Sequence, residues 1–132
     1  MKNLISTASL CLLVNFLFAQ NPDSSHYYFQ KGMTEFEGRR YAVAGKYFDK
    51  AVQLKPDFTD AYIANGKANI EMSRIYEANQ NFAKAYELQP SNKEVIKELA
   101  NLYFNNRQYQ KVIELAQKCA ACDNADRILG MS

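Results

Sequence analysis

The sequence predicts an all-α fold, a solenoid of three antiparallel helix pairs. The first observation is its prolines: the chain has three, Pro22, Pro56 and Pro90, and both gaps are 34 residues. The second is that other positions fall into columns at the same period, which is the signature of a repeat architecture. Gly32, Gly66 and Ala100 form one column, and Ala44, Ala78 and Val112 another. Phe48, Phe82 and Ala116 align, as do Ala51, Ala85 and Cys119, then Leu54, Leu88 and Cys122, and Tyr41, Ile75 and Tyr109. The third is that apolar residues within each copy recur at three and four, the period of an amphipathic helix.

Each element follows from these columns. In the first copy, Tyr28, Gly32 and Phe36 mark a first helix, and Tyr41, Ala44, Phe48, Ala51 and Leu54 a second. The second copy repeats this with Tyr62, Gly66 and Ile70, then Ile75, Ala78, Phe82, Ala85 and Leu88. The third has Ile96, Ala100 and Tyr103, followed by the stretch from Tyr109. The predicted helices are 24–38, 41–54, 58–72, 75–88, 92–105 and 108–121, and the three repeats run over about 24–56, 57–90 and 91–122. Glu37-Gly38-Arg39, Met72-Ser73-Arg74 and Asn105-Asn106-Arg107 fall at the turns within pairs. Gly38 and the two Asn are the expected left-handed residues there. Proline ends each second helix, and Asp57, Ser91 and Asn92 are the expected caps of the next. A glycine inside a helix costs about 1 kcal/mol against alanine, so Gly32 and Gly66 in one column point to close helix packing.

The ends differ from the middle. MKNLISTASLCLLVNFLFAQ opens with a Lys and continues apolar from Leu4 to Phe18 before Ala19-Gln20, the pattern of a secretory signal peptide over residues 1–19. Its Phe-Ala-Gln end resembles leaders of Bacteroidetes-type bacteria. The run is too short and interrupted for a membrane span. Residues 20–23 read as a short linker. Residues 123–132 read as an incomplete fourth repeat or a capping stub, and the apolar end they leave suggests self-association through the C-terminal end.

Composition excludes several functions. The chain carries 16 basic and 14 acidic residues, mixed along its length, which gives no electrostatic case for nucleic acid or an anionic membrane. Nine Tyr and eight Phe need packing partners and argue for a folded chain. His26 is the only histidine, so no His-based triad or multi-His metal site can be built. There is no Gly-rich phosphate loop. No cofactor, metal or small-molecule substrate is expected, and the chain does not read as an enzyme. Cys119 and Cys122 are spaced C-x-x-C, but at the C-terminal end of a helix, where the dipole opposes thiolate formation. They read first as small packing residues of their columns. The three-residue spacing also allows them to pair as a disulfide in an oxidising compartment.

These columns resemble the tetratricopeptide repeat over about residues 23–122. Small and aromatic positions match closely in the first two copies, while the third has Ala100 for Gly and Asn124 where the next Pro is due. The resemblance implies a right-handed superhelix whose first helices line a concave, partner-binding face. Off the packing columns, that face is expected to carry His26, Phe29, Met33, Phe36 and Glu37, then Asp60, Ile63, Lys67, Ile70 and Glu71. In the third repeat it carries Glu94, Lys97, Asn101, Phe104 and Asn105. The groove candidates are Phe29, Met33, Phe36, Ile63, Lys67, Ile70, Lys97, Asn101 and Phe104; Phe36, Ile70 and Phe104 share one column and read equally as filling between hairpins. One variant of the family clamps a C-terminal carboxylate with Lys, Asn and Arg. Here Phe29, Met33 and Glu98 stand where those are needed, and the clamp reads as absent. The expected function is an exported scaffold or adaptor that binds a protein or peptide segment. It is expected in the periplasm or at the outer membrane of a Gram-negative bacterium. The alternative is a structural arm or self-stacking subunit of an envelope assembly.

Overall fold

Proline's missing N–H is no loss in the first turn of a helix, and the first helix begins at such a residue. In the computed structural model, which describes residues 22–119, α1 spans Pro22–Glu37. It is followed by α2 (Tyr41–Leu54), α3 (Thr59–Glu71), α4 (Ile75–Leu88), α5 (Lys93–Asn105) and α6 (Tyr109–Lys118). No strand occurs among the described residues. Consecutive helices pack on one another, and α1 also touches α3. This is an α-solenoid of three helix pairs. The expected helices agree with the observed ones to within two residues, except that α6 ends at Lys118. The leader, the stub and Cys122 lie outside the described residues.

The three turns within pairs share one geometry, but its left-handed residue is not the one expected. Arg39, Ser73 and Arg107 have φ of 57°, 58° and 58°, again 34 residues apart, whereas Gly38 and the two Asn precede them. The backbone explains the choice. The N–H groups of Arg40, Arg74 and Gln108 reach back to the carbonyls of Glu35, Asn69 and Tyr103 at 2.9, 2.8 and 2.8 Å. Those of Arg39, Ser73 and Arg107 bond Phe36, Ile70 and Phe104 at 2.9, 2.8 and 3.0 Å. This is the Schellman closure of a helix end, and it fixes the left-handed residue by count, whatever its side chain. The first turn also carries an Arg40 Nε–Glu35 Oε2 ion pair; the guanidinium's hydrogen bond holds the Glu35 carboxyl below its ordinary pKa.

Between repeats the chain turns at Pro56 and Pro90. The N–H of Phe58 bonds Lys55 O, and that of Asn92 bonds Gln89 O, both at 3.1 Å, with proline at the second position of each turn. Asn92 then caps α5, its Oδ1 accepting from the N–H groups of Glu94 and Val95. Asp57 does not play this part for α3. Phe58 stands at that N-cap, without a side-chain cap bond, and its ring is buried against His26 and Phe29. Burial of an aromatic ring has displaced capping as the use of this position.

The small-residue columns mark the helix crossings. A methyl group on Gly32 would stand 2.5 Å from the Phe48 ring, and one on Gly66 2.8 Å from the Phe82 ring. Both rings are fully buried. Phe82 belongs to the largest core cluster, with Ala78, Ala85, Val95, Ile96, Leu99 and Leu115, which joins the second and third repeats. Phe48 packs with Ala44, Ala64 and Ala68. Cys119 is buried beside its column-mate Ala85 in the first of these clusters, and it is disulfide-bonded.

Candidate functional site

In this register α1 and α3 run side by side, and their off-column side chains face a shared groove. Phe29, Met33 and Phe36 come from α1, and Asp60, Ile63, Ala64 and Lys67 from α3. Glu94, from the first turn of α5, completes the lining. The cavity measures about 260 Å³. Its wall is apolar. Phe29 packs on Phe48 and Phe58 at ring separations of 5.9 and 5.0 Å, and Phe36 stands edge-on to Tyr41 at 5.2 Å. These contacts hold the two rings in place, so the wall is set by the core behind it. Polar groups occupy only the rim. Lys67 Nζ donates to Glu94 Oε1, an ion pair that ties the second repeat to the third.

Of the nine expected groove residues, five line this cavity: Phe29, Met33, Phe36, Ile63 and Lys67. Ile70 instead packs, partly buried, against the core cluster of the second and third repeats. Lys97 and Asn101 are exposed on α5, outside the cavity. Phe104 is 58% exposed, edge-on to Tyr109 at 5.6 Å, repeating the Phe36–Tyr41 arrangement at the third repeat. Ala64 lines the cavity unforeseen. Its small size gave no signal in the sequence, yet it leaves the room that the flanking rings enclose.

A second cavity, of about 490 Å³, opens between α2, α3 and α4 and is lined by both polar and apolar groups. Asn65 and Asn69 of its lining are buried. Asn65 Nδ2 donates to Asp49 Oδ1 at 2.7 Å, and Asn69 Nδ2 to the backbone carbonyl of Asn65 at 3.0 Å. The third repeat has Leu99 and Tyr103 at the equivalent positions. This network satisfies buried amides and links two repeats, so it reads as structure. No group of three or more His, Cys, Asp or Glu able to hold a metal occurs among the described residues. No helix among them is long and apolar enough to cross a membrane.

Comparison with known proteins agrees with this fold. Residues 25–58 match the family model described as tetratricopeptide repeat. This is a tetratricopeptide-repeat fold. Similar solved structures include MamA, with a TM-score of 0.70 and 17% identity over 76% of this chain and 59% of that one. The tetratricopeptide domain of Sgt2 from Aspergillus fumigatus has a TM-score of 0.69 and 16% identity, covering 84% of this chain and 77% of that one. A complex of the TPR2AB domain of yeast Sti1 with an HSP90 peptide gives 0.73 and 16%, covering 94% of this chain and 50% of that one. The chain thus spans about three-fifths of the length of the MamA chain and half that of the Sti1 chain. The comparison with curated protein sequences finds no match.

Proposed function

We propose that this chain is a protein-interaction module whose groove between α1 and α3 holds an extended peptide segment. One observation carries the reading: an open, apolar-walled cavity with a sparse polar rim, walled by Phe29, Met33, Phe36 and Ile63. Concave apolar sites with few polar groups are where proteins bind ligands. Side chains of an extended segment could enter such a groove while its backbone stays at the polar rim. The Sti1 domain, solved with an HSP90 peptide, is a fold relative seen with a peptide, which supports the reading. The leader read in the sequence supports an exported adaptor of the bacterial envelope.

The test is selection from a displayed random-peptide library, followed by binding of the selected peptides to the Met33→Lys variant. Met33 is part-exposed on the groove wall and packs at the edge of the Phe48 cluster, so a Lys there charges the site while its aliphatic stem can still cover that edge. Selected peptides should lose at least about ten-fold in affinity to this variant, corresponding to about 1.4 kcal/mol, while far-UV circular dichroism stays unchanged. Failure to select any peptide, or equal binding to the variant, would remove the groove from the account.

A further inference from the structure

The charge around the groove selects a sign. Among the lining residues only Asp60, Lys67 and Glu94 are charged. Lys67 and Glu94 are paired with each other, so together they are neutral. Asp60 is exposed in the first turn of α3 and makes no ion pair among the described residues. It leaves the site one net negative charge. Glu37 and Glu71, exposed at the C-terminal ends of α1 and α3, likewise form no described ion pair. Three exposed lysines stand on the same series of helices, and none lines the cavity: Lys31 lies over the Tyr27 and Tyr47 rings, and Lys93 and Lys97 are on α5. This local sign opposes the formal net charge of +2 for the chain as a whole.

Resting on the reading of the groove as a peptide site, we infer that its occupant is a cationic amphipathic segment. Apolar side chains of that segment fill the space between Met33, Phe36 and Ile63, and a flanking Lys or Arg sits opposite Asp60. An acidic tail is disfavoured on physical grounds. It would meet Asp60 unshielded, and the one cation in the lining already has a carboxylate partner. Rim charges set selectivity and association rate, while the apolar wall contributes most of the hold.

Three end-blocked synthetic peptides of one length test this. One carries two Leu and two Lys on a Ser-Gly background, the second replaces Lys by Glu, and the third keeps Lys but replaces Leu by Ser. Binding is read by titration calorimetry and by the methyl NMR signals of Met33 and Ile63. The Leu/Lys peptide should shift both signals and bind about three- to ten-fold more tightly than the Leu/Glu peptide at low salt. That gap should narrow as salt rises, because the rim is exposed. Asp60→Lys should reverse the order of the two Leu peptides. Equal affinities, or a preference for the Leu/Glu peptide, would overturn the cationic assignment and leave the groove reading intact. The Lys/Ser peptide binding as well as the Leu/Lys peptide would overturn the amphipathic assignment. If neither Leu peptide moves Met33 or Ile63, the groove reading falls with it.

Discussion

Glycine in a helix is a loss unless something occupies the space its missing side chain leaves, and the helical glycines here divide on that point. At Gly32 the space belongs to Phe48, whose Cε1 and Cδ1 lie 2.5 and 2.6 Å from where a methyl carbon would be. That ring is fully buried, so it cannot swing away without opening the core. At Gly45 the nearest atom to an added methyl is Asn65 Oδ1 at 3.5 Å, an ordinary contact. The two alanine variants should therefore move in opposite directions. Gly45→Ala should stabilise the fold by about 0.5–1 kcal/mol through helix propensity. Gly32→Ala gains the same term but overpacks the crossing, at a cost of about 1–3 kcal/mol, and should be net destabilising. Urea denaturation monitored by circular dichroism measures both, and destabilisation by each would mean that Gly45 has a packing duty too. Gly32 was legible in the sequence because Gly66 stands 34 residues on. Gly45 has Asn79 in its column, so only the structure separates its case from the others.

At the scale of the element, the turns carry the information that makes the three pairs alike. The closure uses backbone atoms alone, so residues as different as Arg39, Ser73 and Arg107 adopt the same left-handed conformation. This is why the sequence located the turns but misplaced their left-handed residue: the helix end sets the position, and the chemistry of Gly38 or Asn106 does not override it. The helices themselves were legible because their period is imposed by burial. Phe58 was not, because its capping position looked polar from Asp57 and its burial depends on His26 and Phe29 arriving from α1. A left-handed non-glycine residue costs roughly 1 kcal/mol or more. Ser73→Gly should recover part of this, stabilising the fold by about 0.5 kcal/mol after the entropy of glycine in the unfolded chain is counted. The denaturant midpoint should rise while the slope stays constant. A fall in midpoint would show that the Ser73 side chain stabilises the turn by a route other than backbone closure.

Across the whole molecule, each pair buries its face on its neighbour, so stability is nearly a sum of intrinsic and neighbour terms along one axis. The candidate groove depends on that stacking: its walls come from α1 and α3, and its far rim, Glu94, from α5. Hence the site was only half legible. Columns identify which side chains leave the packing, but register decides which of those meet. Phe29, Met33, Phe36, Ile63 and Lys67 meet, while Lys97, Asn101 and Phe104 belong to the next stretch of the surface. The same logic gives a regional prediction. Leu99 is 2% exposed in the cluster that joins the second and third repeats. Leu99→Ala should cost about 2–5 kcal/mol. In a chain of coupled repeats that loss should appear first where the neighbour contact is lost. Amide hydrogen exchange should accelerate most in α5 and α6, less in α4, and least in α1 and α2. A uniform acceleration across all six helices would instead make the stack a single all-or-none unit, and the groove would then open only when the entire chain unfolds.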